Sequence, residues 1–216
     1  MNQIFQLIRK DFIIDWRRQE PFTGILLYLA ATVFTTYMAF RGFVSVEVWN
    51  ALFWIILLFT GINAISKSFI QEESRTHYFF FTCKSSHLIV AKLIYSCLYL
   101  QGVAFLAIAV FSILFGNPIP NYLLFTFNTF SGVLGISSAF TMVSAIAFRA
   151  SNRPIMMAVL GFPVVVPVLI LSINNSYRIL DGFIWLQIRG NVFALLSVDV
   201  IIIALTYILF PFTWKS

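Results

Sequence analysis

Between Ser66 and His87 the chain reads SKSFIQEESRTHYFFFTCKSSH, which gathers Lys67, Glu72, Glu73, Arg75, His77, Lys84 and His87 between two long apolar runs. Both histidines and Cys83, one of two cysteines, fall in this stretch, in a sequence with only 10% charged residues. Histidines, a thiol and carboxylates are the raw material of acid–base, nucleophilic or metal chemistry, provided they face one cavity. The spacing completes none of these. There is no His-Glu-x-x-His pair, no Cys-x-x-Cys-His haem-attachment sequence and no glycine loop ending in Gly-Lys-Ser/Thr. No catalytic set and no metal set is therefore expected, and ATP is not hydrolysed here through a phosphate loop.

The elements around this polar island belong to a membrane. The 216-residue chain is 60% hydrophobic with a mean hydropathy of +0.92, more apolar surface than a soluble interior can hide. Six runs reach the roughly 20 residues that cross a bilayer as a helix, at about 21–40, 46–66, 88–115, 121–148, 154–173 and 191–212. None alternates with a period of two, so the expected fold is an all-α integral membrane protein. Residues 21–216 are expected to form a six-helix transmembrane domain, and residues 1–20 an N-terminal amphipathic interfacial helix. The basic N-terminus precedes a full-length apolar run with no small-x-small sequence behind it, so that run reads as a retained first span.

Lys and Arg counts give the orientation. With the N-terminus in the cytoplasm, the inside carries Arg9, Lys10, Arg17, Arg18, Lys67, Arg75, Lys84, Lys92, Arg149, Arg153 and Lys215. The outside carries only Arg41, Arg178 and Arg189. Both termini and the polar island are then cytoplasmic, and the net charge of +6 serves topology and anionic headgroups, not nucleic acid. Cys83 then faces reducing cytoplasm and Cys97 lies near or within a span, so both are read as free thiols.

In the first twenty residues Ile4, Phe5, Ile8, Phe12 and Trp16 recur at helical spacing, with Arg9, Lys10, Arg17 and Arg18 placed to reach headgroups. Glu20-Pro21 makes a corner, which turns the surface helix into an elbow. Short links follow at 41–45, 116–120 and 149–153. The stretch 174–190 reads as a short amphipathic helix at the outer face, either an aromatic belt or a contact for an external partner.

Within the bilayer, Ser131, Gly135 and Ala139 are spaced by four, a helix-packing seam that could meet this chain or a second subunit. Pro163 and Pro167 each break the backbone ladder of the fifth span, a helix kink. Asp199 is the clear acid within a span, two turns in, and stands as the candidate intramembrane functional acid. Met142, Met156 and Met157 read as packing or lipid-facing residues.

The island itself reads as a short helix parallel to the membrane. Phe69 and Ile70 lie on lipid, Gln71, Glu72, Glu73 and Arg75 face the cytosol, and Tyr78–Phe81 returns the chain to the bilayer. Exposed charges on such a helix suit docking into a groove on a soluble partner.

At these residues the chain resembles the CcmB family (haem exporter protein B), the membrane permease subunit of the ABC transporter in cytochrome c maturation. The likeness is carried by Asp11–Phe22 (DFIIDWRRQEPF), Phe69–Leu93 (FIQEESRTHYFFFTCKSSHLIVAKL), Phe115–Pro120 (FGNPIP) and Gly161–Ser172 (GFPVVVPVLILS), in that order. The island fits an acidic, arginine-containing segment followed by Leu88-x-x-x-Lys92. Tyr78–Phe81 is more aromatic than the family pattern.

The resemblance implies a non-catalytic subunit in the bacterial inner membrane, paired with a CcmA-like ATPase on the cytoplasmic face. CcmC-like and CcmD-like subunits would hold haem with a CcmE-like chaperone on the outer side. ATP hydrolysis on the partner would drive release of the haem-loaded chaperone, with no haem bound tightly by this chain. The island becomes the coupling segment between helices two and three, with Glu72, Glu73, Arg75 and Phe69 as the ATPase-contacting residues. Two other readings compete: a permease for another substrate such as a lipid or drug, and a self-sufficient channel or ion-coupled carrier built on Asp199.

Overall fold

Apolar sequence of this length must satisfy its backbone internally, and the chain does so with helices throughout the described residues. The computed structural model describes residues 2–18, 20–42, 44–70, 85–147 and 153–215. Seven helices are seen there: α1 (Asn2–Arg18), α2 (Glu20–Phe40), α3 (Val46–Ile70), α4 (Ser85–Phe115), α5 (Tyr122–Ala147), α6 (Arg153–Leu180) and α7 (Trp185–Lys215). Helices α3 to α7 each contain a stretch long and apolar enough to cross a membrane. In α2 the corresponding described stretch is shorter, Leu26–Phe40.

Helix α5 is the axis of the bundle. In its most apolar 18-residue stretch 83% of the residues are buried, against 28–44% in the corresponding stretches of the other four, and it packs on α3, α4, α6 and α7. Its sequence explains why. Gly132, Gly135, Ala139 and a series of serines and threonines give a thin helix whose neighbours can come close on several sides. The outer helices turn large apolar side chains outward instead, such as Ile113, Val159 and Val200. That inversion of a soluble fold is what a lipid solvent requires.

The connections are set by local chemistry. Asn121 caps α5, its Oδ1 accepting from Leu124 N at 3.2 Å. After α6, Gly182 adopts φ +86°, and Gly182 N and Phe183 N donate to the carbonyls of Ile179 and Arg178 at 3.1 and 3.0 Å. This left-handed glycine closes the helix and starts the reversal into α7.

The segment 174–190 therefore differs from the sequence expectation. It is not a separate surface helix. Helix α6 runs on to Leu180, a turn occupies 181–184, and α7 begins at Trp185. Asn174, Asn175 and Ser176 look like a polar link in sequence, yet Asn175 and Ser176 are fully buried, with Ser176 bonded to Trp54 and Asn50 of α3. The two prolines, Pro163 and Pro167, lie inside α6, which is assigned as helix through both.

Candidate functional site

Among the described residues, two places gather polar side chains: the base of α4 beside α1, and the centre of the bundle.

At the base of α4, Lys92 is 2% exposed and its Nζ lies 3.0 Å from Asp11 Oδ2 on α1. Lys10 reaches the other oxygen of the same carboxylate at 3.1 Å. Phe12 meets Tyr95 edge-on with ring centroids 5.1 Å apart, and Gln3 Oε1 lies 3.0 Å from Nδ1 of His87. Leu7 is buried, and Ile4 and Ile8 pack against the core. The amphipathic α1 thus clasps the first turns of α4 with Ile4, Leu7, Ile8 and Asp11, while Phe5 and Ile13 point outward. Leu88 and Lys92, which bear the Leu-x-x-x-Lys pattern, are both buried in this joint. Of the island, Phe69 is in the last turn of α3. Glu72, Glu73 and Arg75 lie outside the described residues, between the ends of α3 and α4.

At the centre, the seam of Ser131, Gly135 and Ala139 is buried against helices of this same chain. Ser131 Oγ donates to Asp199 Oδ2 at 2.9 Å. A Cβ on Gly135 would run into Asp199 Oδ1 and lie 2.6 Å from Val168. Only glycine leaves that space, so residue 135 is where α5, α6 and α7 close on one another. One residue group along, a Cβ on Gly132 would meet the Trp54 ring and the Ser172 hydroxyl.

Asp199 sits deeper than the sequence suggests. Helix α7 starts at Trp185, not near 191, so Asp199 is almost four turns in, about 21 Å along the axis at 1.5 Å per residue. It is 1% exposed.

Beside it runs a hydrogen-bonded chain that sequence reading misses. Trp54 Nε1 donates to Ser176 Oγ at 2.8 Å, Ser176 Oγ to Asn50 Oδ1 at 2.6 Å, and Asn50 Nδ2 to the Ile173 carbonyl at 3.0 Å. Asn128 Nδ2 donates to the Ser172 carbonyl at 3.1 Å. These bonds tie α3 and α5 to α6 where lipid would leave the groups unpaired. One signal could have flagged them: Asn50, Asn128, Asn175 and Ser176 are amides and a hydroxyl inside or beside apolar runs.

Of the methionines, Met142 and Met157 are buried in a small cluster with Val143 and Ala147, and Met156 is exposed. Cys97 is a buried free thiol. It lines an apolar groove of about 650 Å³ between α4, α5 and α7, with Ile94, Phe130, Ser138 and Tyr207 among the walls. Such walls suit acyl chains and give an ionic ligand no purchase.

The family model for the CcmB protein matches residues 2–214 of the 216. The chain belongs to the CcmB family. No curated protein and no solved structure matched it. CcmB proteins are the membrane permease subunits of the haem-exporting ABC transporter for cytochrome c maturation and work with its other components. The match spans both polar places, from α1 and its Asp11 to α7 and its Asp199, so neither is an appendage to the CcmB fold.

Proposed function

We propose that this chain is the non-catalytic, six-span subunit that transmits ATP hydrolysis by a CcmA-like partner to haem delivery on the opposite face of the bacterial inner membrane. The family match over essentially the whole length carries this reading. Helix α2, with 21 residues and about 31 Å of length, supplies the sixth span beside the five longer apolar helices. The Lys and Arg distribution supports a cytoplasmic side for both termini and the island.

On this reading Phe69, Glu72, Glu73 and Arg75 form the surface that meets the ATPase. The clasp of α1 on α4 supports it. A segment that passes force into a bundle needs a firm root, and α4 leaves the island through the buried Lys92–Asp11 pair. Coupling requires that the ATPase contact this surface differently in its two nucleotide states. CcmC-like and CcmD-like subunits and a CcmE-like chaperone handle the haem, and this chain binds none tightly. Purification from native membranes tests the proposal: the wild-type chain should bring down an ATPase and haem-handling subunits. The double variant Glu72→Lys/Glu73→Lys should keep the membrane partners and lose the ATPase. An ATPase still bound to that variant would remove the coupling role from the island.

A further inference from the structure

Asp199 has no role in the reading above, yet the bundle is shaped around it. Its carboxyl is in the middle of α7 and 1% exposed; Oδ2 accepts one hydrogen bond, from Ser131, and Oδ1 is buried against Gly135 without a hydrogen-bond partner. An ionised carboxylate offers about four acceptor positions, and burying it with one filled costs several kcal/mol. One carboxylate and one hydroxyl are too few oxygens for a metal cation. A proton is the ligand that fits, since it removes the charge and needs only one oxygen.

A route to the carboxyl is built from the same helices. Asn128, Ser131, Gly132 and Gly135 recur at i, i+3, i+4 and i+7 on α5, and Val168, Ser172 and Asn175 at i, i+4 and i+7 on α6. The two rows face each other, as the Asn128–Ser172 hydrogen bond and the Gly132–Ser172 and Gly135–Val168 approaches record. Asn128, Ser131, Ser172, Asn175 and Asp199 are each at most 2% exposed. Asn128 Oδ1, Ser172 Oγ and both amide atoms of Asn175 make no hydrogen bond within the chain. Buried polar groups short of partners are where internal water settles in proteins. Asn128 is in the second turn of α5 and Asn175 in the second-last turn of α6, so the row begins at the end of the bundle that carries the 116–121 and 181–184 connections.

We propose that Asp199 is an intramembrane proton-binding site, reached through the buried polar row Asn175, Asn128, Ser172 and Ser131 from the end of the bundle bearing the 181–184 turn. The assignment holds whichever compartment that end faces. The groups around the carboxyl leave the proton to it. Helix α5 presents Ser131 and Gly135, α6 presents Val168, and the titratable neighbour from α4 is the Cys97 thiol. Charging the carboxyl at the point where α5, α6 and α7 touch would favour water entry and loosen that joint.

Infrared spectroscopy of the full chain in lipid nanodiscs at neutral pH tests this. The expected result is a protonated-carboxyl band that shifts on labelling aspartate with carbon-13, disappears in Asp199→Asn and moves in frequency in Asp199→Glu. The glutamate variant keeps the assignment readable if the asparagine variant does not fold. In deuterated buffer the wild-type band should shift promptly, and Ser172→Val should slow that shift. Absence of the band, or its survival in Asp199→Asn, overturns the site. A band that never responds to deuterated buffer, or a Ser172→Val shift as fast as wild type, overturns the route.

Discussion

Lys92 Nζ and Asp11 Oδ2 lie 3.0 Å apart, a buried ion pair between residues on α4 and α1 that joins the N-terminal helix to the first turns after the polar island. Removing one member of a buried pair weakens the joint, and Lys10 on the other oxygen of Asp11 softens the loss of Lys92. Asp11→Ala and Lys92→Met should each lower the melting temperature of the purified protein markedly. The double variant should lose less than the sum of the two. Equal and additive losses would show that the pair does not act as a unit.

The seam glycines give a graded prediction. Gly135→Ala and Gly132→Ala place a methyl against Asp199 and Val168, or against the Trp54 ring and Ser172, so α5 must move away from its neighbours. Each should destabilise the bundle by about 1–3 kcal/mol. Gly102→Ala in α4 meets open space and should be neutral or gain up to about 1 kcal/mol of helix stability. A thermal-shift series on the three variants checks the order.

Ser176→Ala breaks two links at once, since Ser176 accepts from Trp54 and donates to Asn50. Interhelical hydrogen bonds in membranes are worth about 0.6–1.7 kcal/mol, and stability should fall by about 1–2 kcal/mol. Tryptophan fluorescence should report the change, because Trp54 is fully buried and loses its N–H partner. No change in either signal would mean the chain of bonds carries no stability.

Orientation is tested at the cysteines. In a Cys97→Ser background, a membrane-impermeant maleimide should label Cys83 in inside-out vesicles and leave intact spheroplasts unlabelled. The reverse pattern would invert the topology.

Much of this architecture is legible in sequence, because apolar length and breaker residues are local signals. Helices starting at 46, 122 and 153 and ending at 115 and 147 fall within one residue of the composition boundaries. The seam residues Ser131 and Gly135 also declare themselves, since small residues four apart have one physical use in lipid. What is missed is non-local. Asp11 and Lys92 are 81 positions apart, and nothing in the sequence pairs Lys92 with Asp11. Asn50 and Ser176 are 126 positions apart, and Ser176 with its asparagine neighbours imitates a loop until a partner three helices away accounts for the burial of Ser176. The depth of Asp199 is missed for the same reason, because it depends on where α6 gives way to α7. Glu72, Glu73 and Arg75 lie outside the described residues, so their role rests on the sequence and the family.

The measurement that bears most directly on the central claim is covalently bound haem in the c-type cytochromes of cells depleted of this chain. The account predicts that mature cytochromes c disappear on depletion and return with the wild-type chain. They should not return with Glu72→Lys/Glu73→Lys, although that variant inserts in the membrane at normal levels. Undiminished haem-bearing cytochromes c in depleted cells would contradict it.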